Sequence, residues 1–264
     1  MIVTAPRPSE STHWYTRDGS PMYTVTGKNG RERPTTLRDA RQLNLVPSVT
    51  TILNVAAKPA LNAWLQRQVL MAALTLPKRD NESEDDYISR IVDDSREQGR
   101  AAADAGTAIH ESIQSFYEGG VFTESHKPHV DGCSSAIANV FGEREWICER
   151  PFAHELGFGG KVDLHSAPKD DDGIVVDIKT KEFIEGDNIG GYDDHLMQLA
   201  AYRVGLGIPK AKCFNIFVSR NVPGLCVLRE WPEEDLETGW QMFTNLLSFY
   251  QLKNDYRVRD EKQT

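Results

Sequence analysis

Residues 159–181 constrain this chain more than any other stretch, because they set three charged residues beside strand positions that must be buried. The segment is typical of two short strands joined by the acidic turn 170–173, whose Asp-Gly pair supplies the positive-φ residues of a tight hairpin. Pairing of the two strands would make Asp163 and Asp177 neighbours. Asp177 and Lys179 are two residues apart and therefore point to the same face. Charged groups that follow a buried apolar run need a partner, and a divalent metal bound by both aspartates is a suitable one.

The composition indicates a globular protein. The chain has 264 residues, of which 39% are hydrophobic and 26% are charged, and this length suits one domain with an N-terminal elaboration. The net charge of −9 excludes a protein that coats nucleic acid through bulk electrostatics, but not an enzyme that grips a few nucleotides. No apolar run approaches the roughly 20 residues of a membrane span, and the first residues lack the pattern of a signal peptide. We therefore expect a cytoplasmic protein without a membrane partner.

The four cysteines are scattered, with no C-x-x-C pair among them. This spacing indicates neither a zinc ribbon nor an iron–sulfur cluster. We expect ordinary reduced thiols.

His110 is a candidate ligand on a long helical pattern, 82–118, in which we expect a break near Gly99. The small residues at 101–106 allow another backbone to approach closely, so that His110 would lie deep against a neighbouring element. A histidine on an apolar helix face is usually a satisfied core residue, and a metal ligand is the alternative.

The rest of the chain predicts further elements. Residues 1–20 lack apolar periodicity and suggest a loosely held arm, whereas 22–26 suggest a strand. Ser48 is suited to cap one helix, and a second helix begins at Pro59, with Trp64 in the core by its spacing. The later chain predicts a strand at 145–154, a helix at 194–207, strands at 210–219 and 225–231, and a helix at 232–253.

Asp163, thirteen intervening residues and then Asp177-Ile178-Lys179 resemble the motif of the PD-(D/E)XK nuclease superfamily. Two more patterns flank it in the order of the RecB-like branch, namely Gly-Thr-x-Ile-His ending at His110 and Gln-x-x-x-Tyr. The latter is Gln198 and Tyr202, which share a helix face at i, i+4 and which, without the resemblance, are polar edge positions. The Pro-Ser-Val-Thr opening around Ser48 is similar to that of RecB-like nucleases related to the mitochondrial genome maintenance exonuclease.

This resemblance implies an α/β fold with a restriction-endonuclease-like core, a central mixed β-sheet flanked by helices and a helical N-terminal elaboration. We expect an N-terminal arm and strand at 1–46 and a single nuclease domain at 47–264. Within that domain we expect a helical part at 47–143 and a catalytic core at 144–264.

The resemblance also implies the ligands of a Mg²⁺ or Mn²⁺ ion, which are His110, Asp163, Asp177 and the Ile178 carbonyl. Lys179 would orient or deprotonate the attacking water and stabilise the transition state. Three other implied roles are given by position: Gln198 and Tyr202 support the site and contact the strand, Ser48 lies near the DNA, and Glu149 is an extra carboxylate. A cap role for Ser48 and an exposed edge position for Glu149 are the alternatives.

The function implied is a metal-dependent DNA exonuclease of phage or mobile-element type, acting in recombination, repair or processing. Its partners would be DNA with a free end, single-stranded or duplex, and a single-strand annealing or binding protein. One alternative is a non-catalytic module of the same fold that binds nucleic-acid ends, and the presence of all four charged motif residues argues against it. A structure-specific or site-specific endonuclease is the other alternative.

Overall fold

A mixed five-stranded sheet lies at the centre of the protein. The computed structural model describes residues 13–168 and 171–259. The strands lie in the sheet in chain order, as β5 (Ile147–His154), β6 (Phe158–Ser166), β7 (Ile174–Lys181), β8 (Lys212–Ser219) and β9 (Cys226–Trp231). Only β7 and β8 are parallel. A parallel pair needs a crossover, and α6 (Asp193–Gly205) forms it.

The remaining elements surround this sheet or precede it. Two small antiparallel sheets pair β1 (Trp14–Tyr15) with β4 (Val46–Pro47), and β2 (Thr24–Thr26) with β3 (Glu32–Pro34). The other helices are α1 (Leu37–Leu43), α2 (Val49–Leu53), α3 (Pro59–Thr75), α4 (Glu84–Tyr117), α5 (Lys127–Phe141) and α7 (Glu233–Lys253). Within the two described ranges, no helix is both long enough and apolar enough to cross a bilayer.

Helices cover both faces of the sheet, so the fold is mixed α/β as predicted. One core joins the sheet to α2, α6 and α7, and the other joins it to α4 and α5. In β7, Val175 belongs to the first core, whereas Val176 belongs to the second. Burial on both faces is the reason why the start of this strand is a continuous run of β-branched residues.

The loop between β6 and β7 is longer than the tight turn that the sequence predicted. It runs from residue 167 to 173, and Lys169 and Asp170 lie outside the described residues. Gly173 does adopt a positive φ, of 91°. Its N–H donates to the Asp171 carboxylate over 3.0 Å, which fixes the entry into β7.

Helix α4 runs without interruption through Gly99, so the predicted break is wrong. A single glycine costs a helix only about 1 kcal/mol relative to alanine, and tertiary packing outweighs that cost. Further along, Gly106 allows α4 to approach β7 closely, because a Cβ there would overlap the Thr180 hydroxyl. The close approach expected for this segment is therefore found, and it involves Gly106.

The prediction of a loosely held arm is wrong for residues 13–20, and residues 1–12 lie outside the described part of the chain. Trp14 and Tyr15 are buried. The indole of Trp14 packs edge-on against Tyr256, with ring centroids 6.0 Å apart. The sequence gives no sign that Trp14 is buried, since its partner Tyr256 lies far along the chain.

The prediction of a core position for Trp64 is also wrong. Helix α3 packs mainly against α4, which leaves much of its surface uncovered. Trp64 is 40% exposed, and Leu61 and Leu65 are more so. Helical spacing identified a common face correctly but could not show that no second element covers it.

We predict that alanine at Gly106 and alanine at Gly99 have opposite effects on stability. Gly99→Ala should stabilise the protein by up to about 1 kcal/mol through helix propensity, because the added Cβ meets Trp64 only at ordinary contact distance, 3.6 Å. Gly106→Ala gains the same propensity but must displace Thr180, and should be destabilising. Urea unfolding of both variants measures this, and equal stabilisation would show that α4 and β7 do not pack as described.

Candidate metal and catalytic site

Asp163 lies where the two central strands part. The β6–β7 ladder runs from Ser166 paired with Ile174 to Leu164 paired with Val176. One residue further, the Asp163 carboxylate takes over and accepts the N–H of Ile178 through Oδ2 at 2.7 Å. The side chain therefore replaces a backbone acceptor and keeps a buried donor satisfied.

Strand β6 also changes face at Asp163. Val162 belongs to the core beneath α6, and Leu164 belongs to the core beneath α4, although residues two apart in a regular strand point to the same side. The neighbouring β5 distorts at the same level, where Glu149 has a left-handed φ of 48°. For a residue with a side chain such a conformation costs about 1–3 kcal/mol and is concentrated at functional sites.

Three potential ligands converge at this distortion. The His110 Nε2 of α4 lies 3.1 Å from Asp163 Oδ2. One ligand atom from each of His110, Glu149 and Asp163 lies within 4.8 Å of the other two. Ligand atoms on opposite sides of a Mg²⁺ or Mn²⁺ ion are separated by roughly 4–5 Å, so the group has a suitable size. The Glu149 carboxylate also forms an ion pair with Lys161.

Asp177 is 1% exposed and its carboxylate is held on two sides. Asn215, on the parallel neighbour β8, donates to Oδ2 at 2.7 Å, and Lys179 reaches the carboxylate at 2.9 Å. The indole N–H of Trp231 donates to Oδ1, the side-chain amide oxygen of Asn215, at 2.7 Å. That bond fixes which end of the amide faces Asp177.

Lys179 connects the aspartates to α6. Its Nζ donates to Gln198 Oε1 at 2.9 Å, and Gln198 donates in turn to the Tyr202 hydroxyl at 2.8 Å. The same ammonium lies 3.0 Å from Oδ1 and 2.9 Å from Oδ2 of Asp177, so three oxygen atoms share its three protons.

Burial and charge move the pKa values of the two aspartates apart. Burial raises the pKa of Asp177 to about 6, with a further increase from Asp163 and an opposing effect of Lys179. Burial would also raise the pKa of Asp163, but His110, Lys179 and the Ile178 N–H together hold it below 3.8. Desolvation opposes protonation of His110, yet Asp163 outweighs it and raises the pKa of the imidazole.

A cleft of about 310 Å³ opens beside these groups. Its walls come from α4 and from the end of β7, and they are Ala103, Gly106, Thr107, His110, Ile178, Lys179 and Thr180. The small residues on α4 leave room in front of Lys179. A phosphate-sized group therefore has access to both the imidazole and the ammonium.

Seven of the residues that the sequence singled out lie around this cleft or in its hydrogen-bond network. They are His110, Glu149, Asp163, Asp177, Lys179, Gln198 and Tyr202. Ile178 contributes its N–H to Asp163. Ser48 is separate: its hydroxyl accepts the Thr51 N–H at 3.0 Å and caps α2 as predicted. Among the residues that the structure describes, the side-chain bonds of Ser48 go to α2.

Sequence reasoning missed Asn215, Trp231 and Lys161. An asparagine in the apolar run of β8 is a signal that could have been used, because a buried amide must find partners. Trp231 ends β9, and nothing in its spacing points to the site. Lys161 alternates with apolar residues, as any half-buried strand lysine would.

Similarity to known proteins is limited. The sequence matches no protein-family model, and no curated protein is similar to it. Among solved structures, the chain is similar to one described as the crystal structure of SSO0001, at 16% identity over 71% of this chain and 86% of that chain, with a TM-score of 0.27.

We predict that neutralising the two aspartates changes stability in opposite directions in metal-free protein. The pKa of Asp177 is raised, so its favourable contribution is present below 3.8 and is lost as the pH rises through about 6. Asp177→Asn cannot ionise, and between pH 4 and 8 it should gain on the parent by at most about 3 kcal/mol. The pKa of Asp163 is lowered, so its contribution builds up as the pH rises toward 3.8 and is constant above about pH 5. Asp163→Asn should therefore lose stability relative to the parent as the pH rises from about 3 to 5, with little further change up to about pH 8.

Urea unfolding in EDTA at about pH 3, 4, 5, 6 and 8 measures both differences, the one for Asp163 between about pH 3 and 5 and the one for Asp177 between about pH 4 and 8. A hydrogen bond that the substitution removes changes the free energy of unfolding by the same amount at every pH. This change therefore cancels when the stabilities of one variant at different pH values are compared. Shifts of the same sign in the two variants would contradict the charge arrangement described here.

Proposed function

We propose that the protein is a metal-dependent deoxyribonuclease, an exonuclease of the RecB-like branch of the PD-(D/E)XK superfamily. The observation that carries the proposal is the position of Lys179. Its ammonium is held between Asp177 and Gln198 beside the His110–Asp163 pair, and Lys179 lines the cleft. Two aspartates, a lysine on the strand of Asp177 and a histidine from a crossing helix could together hold a cation and orient a water, which is what metal-dependent phosphodiester hydrolysis requires.

The donor set suits Mg²⁺ or Mn²⁺. Carboxylate and carbonyl oxygens are the preferred ligands of both ions, and an imidazole admits Mn²⁺ readily. We assign His110, Asp163, Asp177 and the Ile178 carbonyl as ligands, with Glu149 as an adjacent carboxylate. Such an ion, when bound, supplies positive charge to the phosphate and acidifies a water.

The remaining residues orient the reacting groups. Lys179 would orient the attacking water or a phosphate oxygen at the cleft, and it would offset the charge that develops at phosphorus. Gln198 fixes the direction of the Lys179 side chain, and Tyr202 fixes the Gln198 amide. Asn215 and Trp231 hold Asp177 in place.

Contact of Ser48 with DNA stays a prediction, since the cap role already accounts for this residue. Ser48 forms a bridge with Gly159, at the beginning of β6. A DNA strand that leaves the cleft along β6 would pass near Ser48.

Partners and setting follow from the reaction. We propose DNA with a free end as substrate, a single-strand annealing or binding protein as partner, and a cytoplasmic setting in phage or mobile-element DNA processing. The two alternatives are a non-catalytic module that binds nucleic-acid ends and a structure-specific endonuclease.

We predict that Lys179→Ala lowers hydrolysis by about 10²–10³-fold, the range found when one preorganised electrostatic donor is removed. The assay is digestion of end-labelled single-stranded, blunt and circular DNA in Mg²⁺, Mn²⁺ and EDTA. Lys212→Ala is the matched control, because that lysine lies on the neighbouring strand and pairs with Glu230 at the surface. Cleavage of circles would favour the endonuclease, end binding without cleavage would favour the binding module, and robust cleavage in EDTA would reject the mechanism.

We predict that His110→Ala raises the Mn²⁺ concentration needed for half-maximal activity, and that excess Mn²⁺ restores part of the activity. The variant loses one metal bond but keeps both aspartates. His154→Ala is the control, since His154 stacks on Phe158 away from the acids and should change stability alone. Activity against Mn²⁺ is measured beside the melting temperature. A lower melting temperature with an unchanged metal response would make His110 a packing residue.

A further inference from the structure

Trp64 presents a large aromatic surface where the sequence led us to expect a core residue. Its side chain belongs to α3 and is 40% exposed. The edge of the ring lies against α4 at Gly99, where a Cβ would stand 3.6 Å from the indole. With glycine at this position, the edge of the ring approaches the backbone of α4, and 40% of the residue's surface is exposed to solvent.

The position of Gly99 places Trp64 in line with the cleft. Gly99, Ala103, Gly106 and His110 are separated by four, three and four residues, so they lie on one face of α4. The last three of these residues line the cleft. At 1.5 Å per residue, Gly99 is about 6 Å from Ala103 and roughly 16 Å from His110 along the axis. Trp64 therefore stands one helical turn beyond the wall of the cleft.

Helix α3 is held in this position from two sides. The ammonium of Lys58, at its start, lies 3.5 Å from the carboxylate of Asp194 in the first turn of α6. The same α6 carries Gln198, which contacts Lys179. On the other side, α3 packs along α4. The indole is thus fixed relative to the catalytic groups rather than carried on a loop.

We propose that Trp64 is a base-stacking subsite for an unpaired nucleotide of the strand that enters the cleft. The inference rests on the proposed nuclease function. An exposed indole stacks on any nucleobase, but only where the face of that base is free, so the strand must be single at this point. The separation of roughly 16 Å between Gly99, on which Trp64 lies, and His110 corresponds to about five nucleotides at B-form rise, and to fewer in an extended strand.

Arg67 supplies the charge that such a subsite needs. It follows Trp64 by three residues, so the two side chains are neighbours on the surface of α3, and it is exposed. Within 59–75 it is the one residue of formal charge. A phosphate next to the stacked base would find this guanidinium.

The test is binding of a 5′-labelled oligothymidylate in EDTA, where no hydrolysis takes place. Trp64→Ala should weaken binding roughly tenfold, the equivalent of about 1.4 kcal/mol and within the range for one stacked base. Trp64→Phe should retain most of the affinity. Leu74→Ala is the matched control, because Leu74 lies on the same helix, is 82% exposed and is about 15 Å further along; its affinity should equal the parent's.

A second measurement separates stacking from a structural role. A single abasic nucleotide is placed at each position of the oligonucleotide in turn. For the parent, the abasic nucleotide at one position should lower the affinity about as much as Trp64→Ala does. For Trp64→Ala, the abasic nucleotide at that position should lower the affinity no further. Equal losses at every position in both proteins would overturn the proposal. So would a Trp64→Ala variant of parental affinity, or one whose molar mass in solution differs from the parent's, which would make Trp64 a contact between protein chains.

These results are distinct from those for the nuclease activity. Hydrolysis is measured separately in Mg²⁺ with unmodified DNA. Hydrolysis with parental oligonucleotide binding by Trp64→Ala refutes the subsite and leaves the nuclease. If the parent hydrolyses nothing and Trp64→Ala still loses oligonucleotide binding as predicted, the nuclease is refuted and a single-strand binding site remains.

Discussion

The hydrogen bond from the Ile178 N–H to the Asp163 carboxylate is the interaction on which the site depends. It forms where β6 and β7 part, and it takes the place of the next rung of the ladder. A carboxylate that accepts a buried backbone donor is fixed in direction and kept ionised. Because the same oxygen faces His110, one side chain ties the sheet to α4 and fixes the position of the imidazole.

A second constraint is the burial of charge around Asp177. An ionised carboxylate and an ammonium in a protein interior are tolerated only when their remaining bonding capacity is satisfied. Here the chain of donors runs from Trp231 through Asn215 to Asp177, and from Lys179 through Gln198 outward. Burial still raises the pKa of Asp177 to about 6, so these partners do not fully offset the loss of hydration. Carboxyl groups with shifted pKa values of this kind are concentrated at functional sites.

Helix α4 links the chemistry to the rest of the molecule. Gly106 brings it against β7, and the Arg220 guanidinium donates to the Ala102 carbonyl at 2.6 Å, which secures the same segment from the end of β8. The helix therefore presents His110 at a fixed depth. Its small-residue face forms one wall of the cleft and continues to Gly99, where the indole of Trp64 on α3 lies against it.

The sequence by itself determined which residues share a face, because the periods of strands and helices are fixed by backbone geometry. Hence Asp177 with Lys179, and Gln198 with Tyr202, were predictable, and they meet in one network. Only the tertiary structure decided what covers each face. The helical period that predicted a core position for Trp64 carries no information about whether another element packs over that face. Likewise, the bond from Asn215 to Asp177 joins residues 38 positions apart on neighbouring strands, which no local pattern encodes.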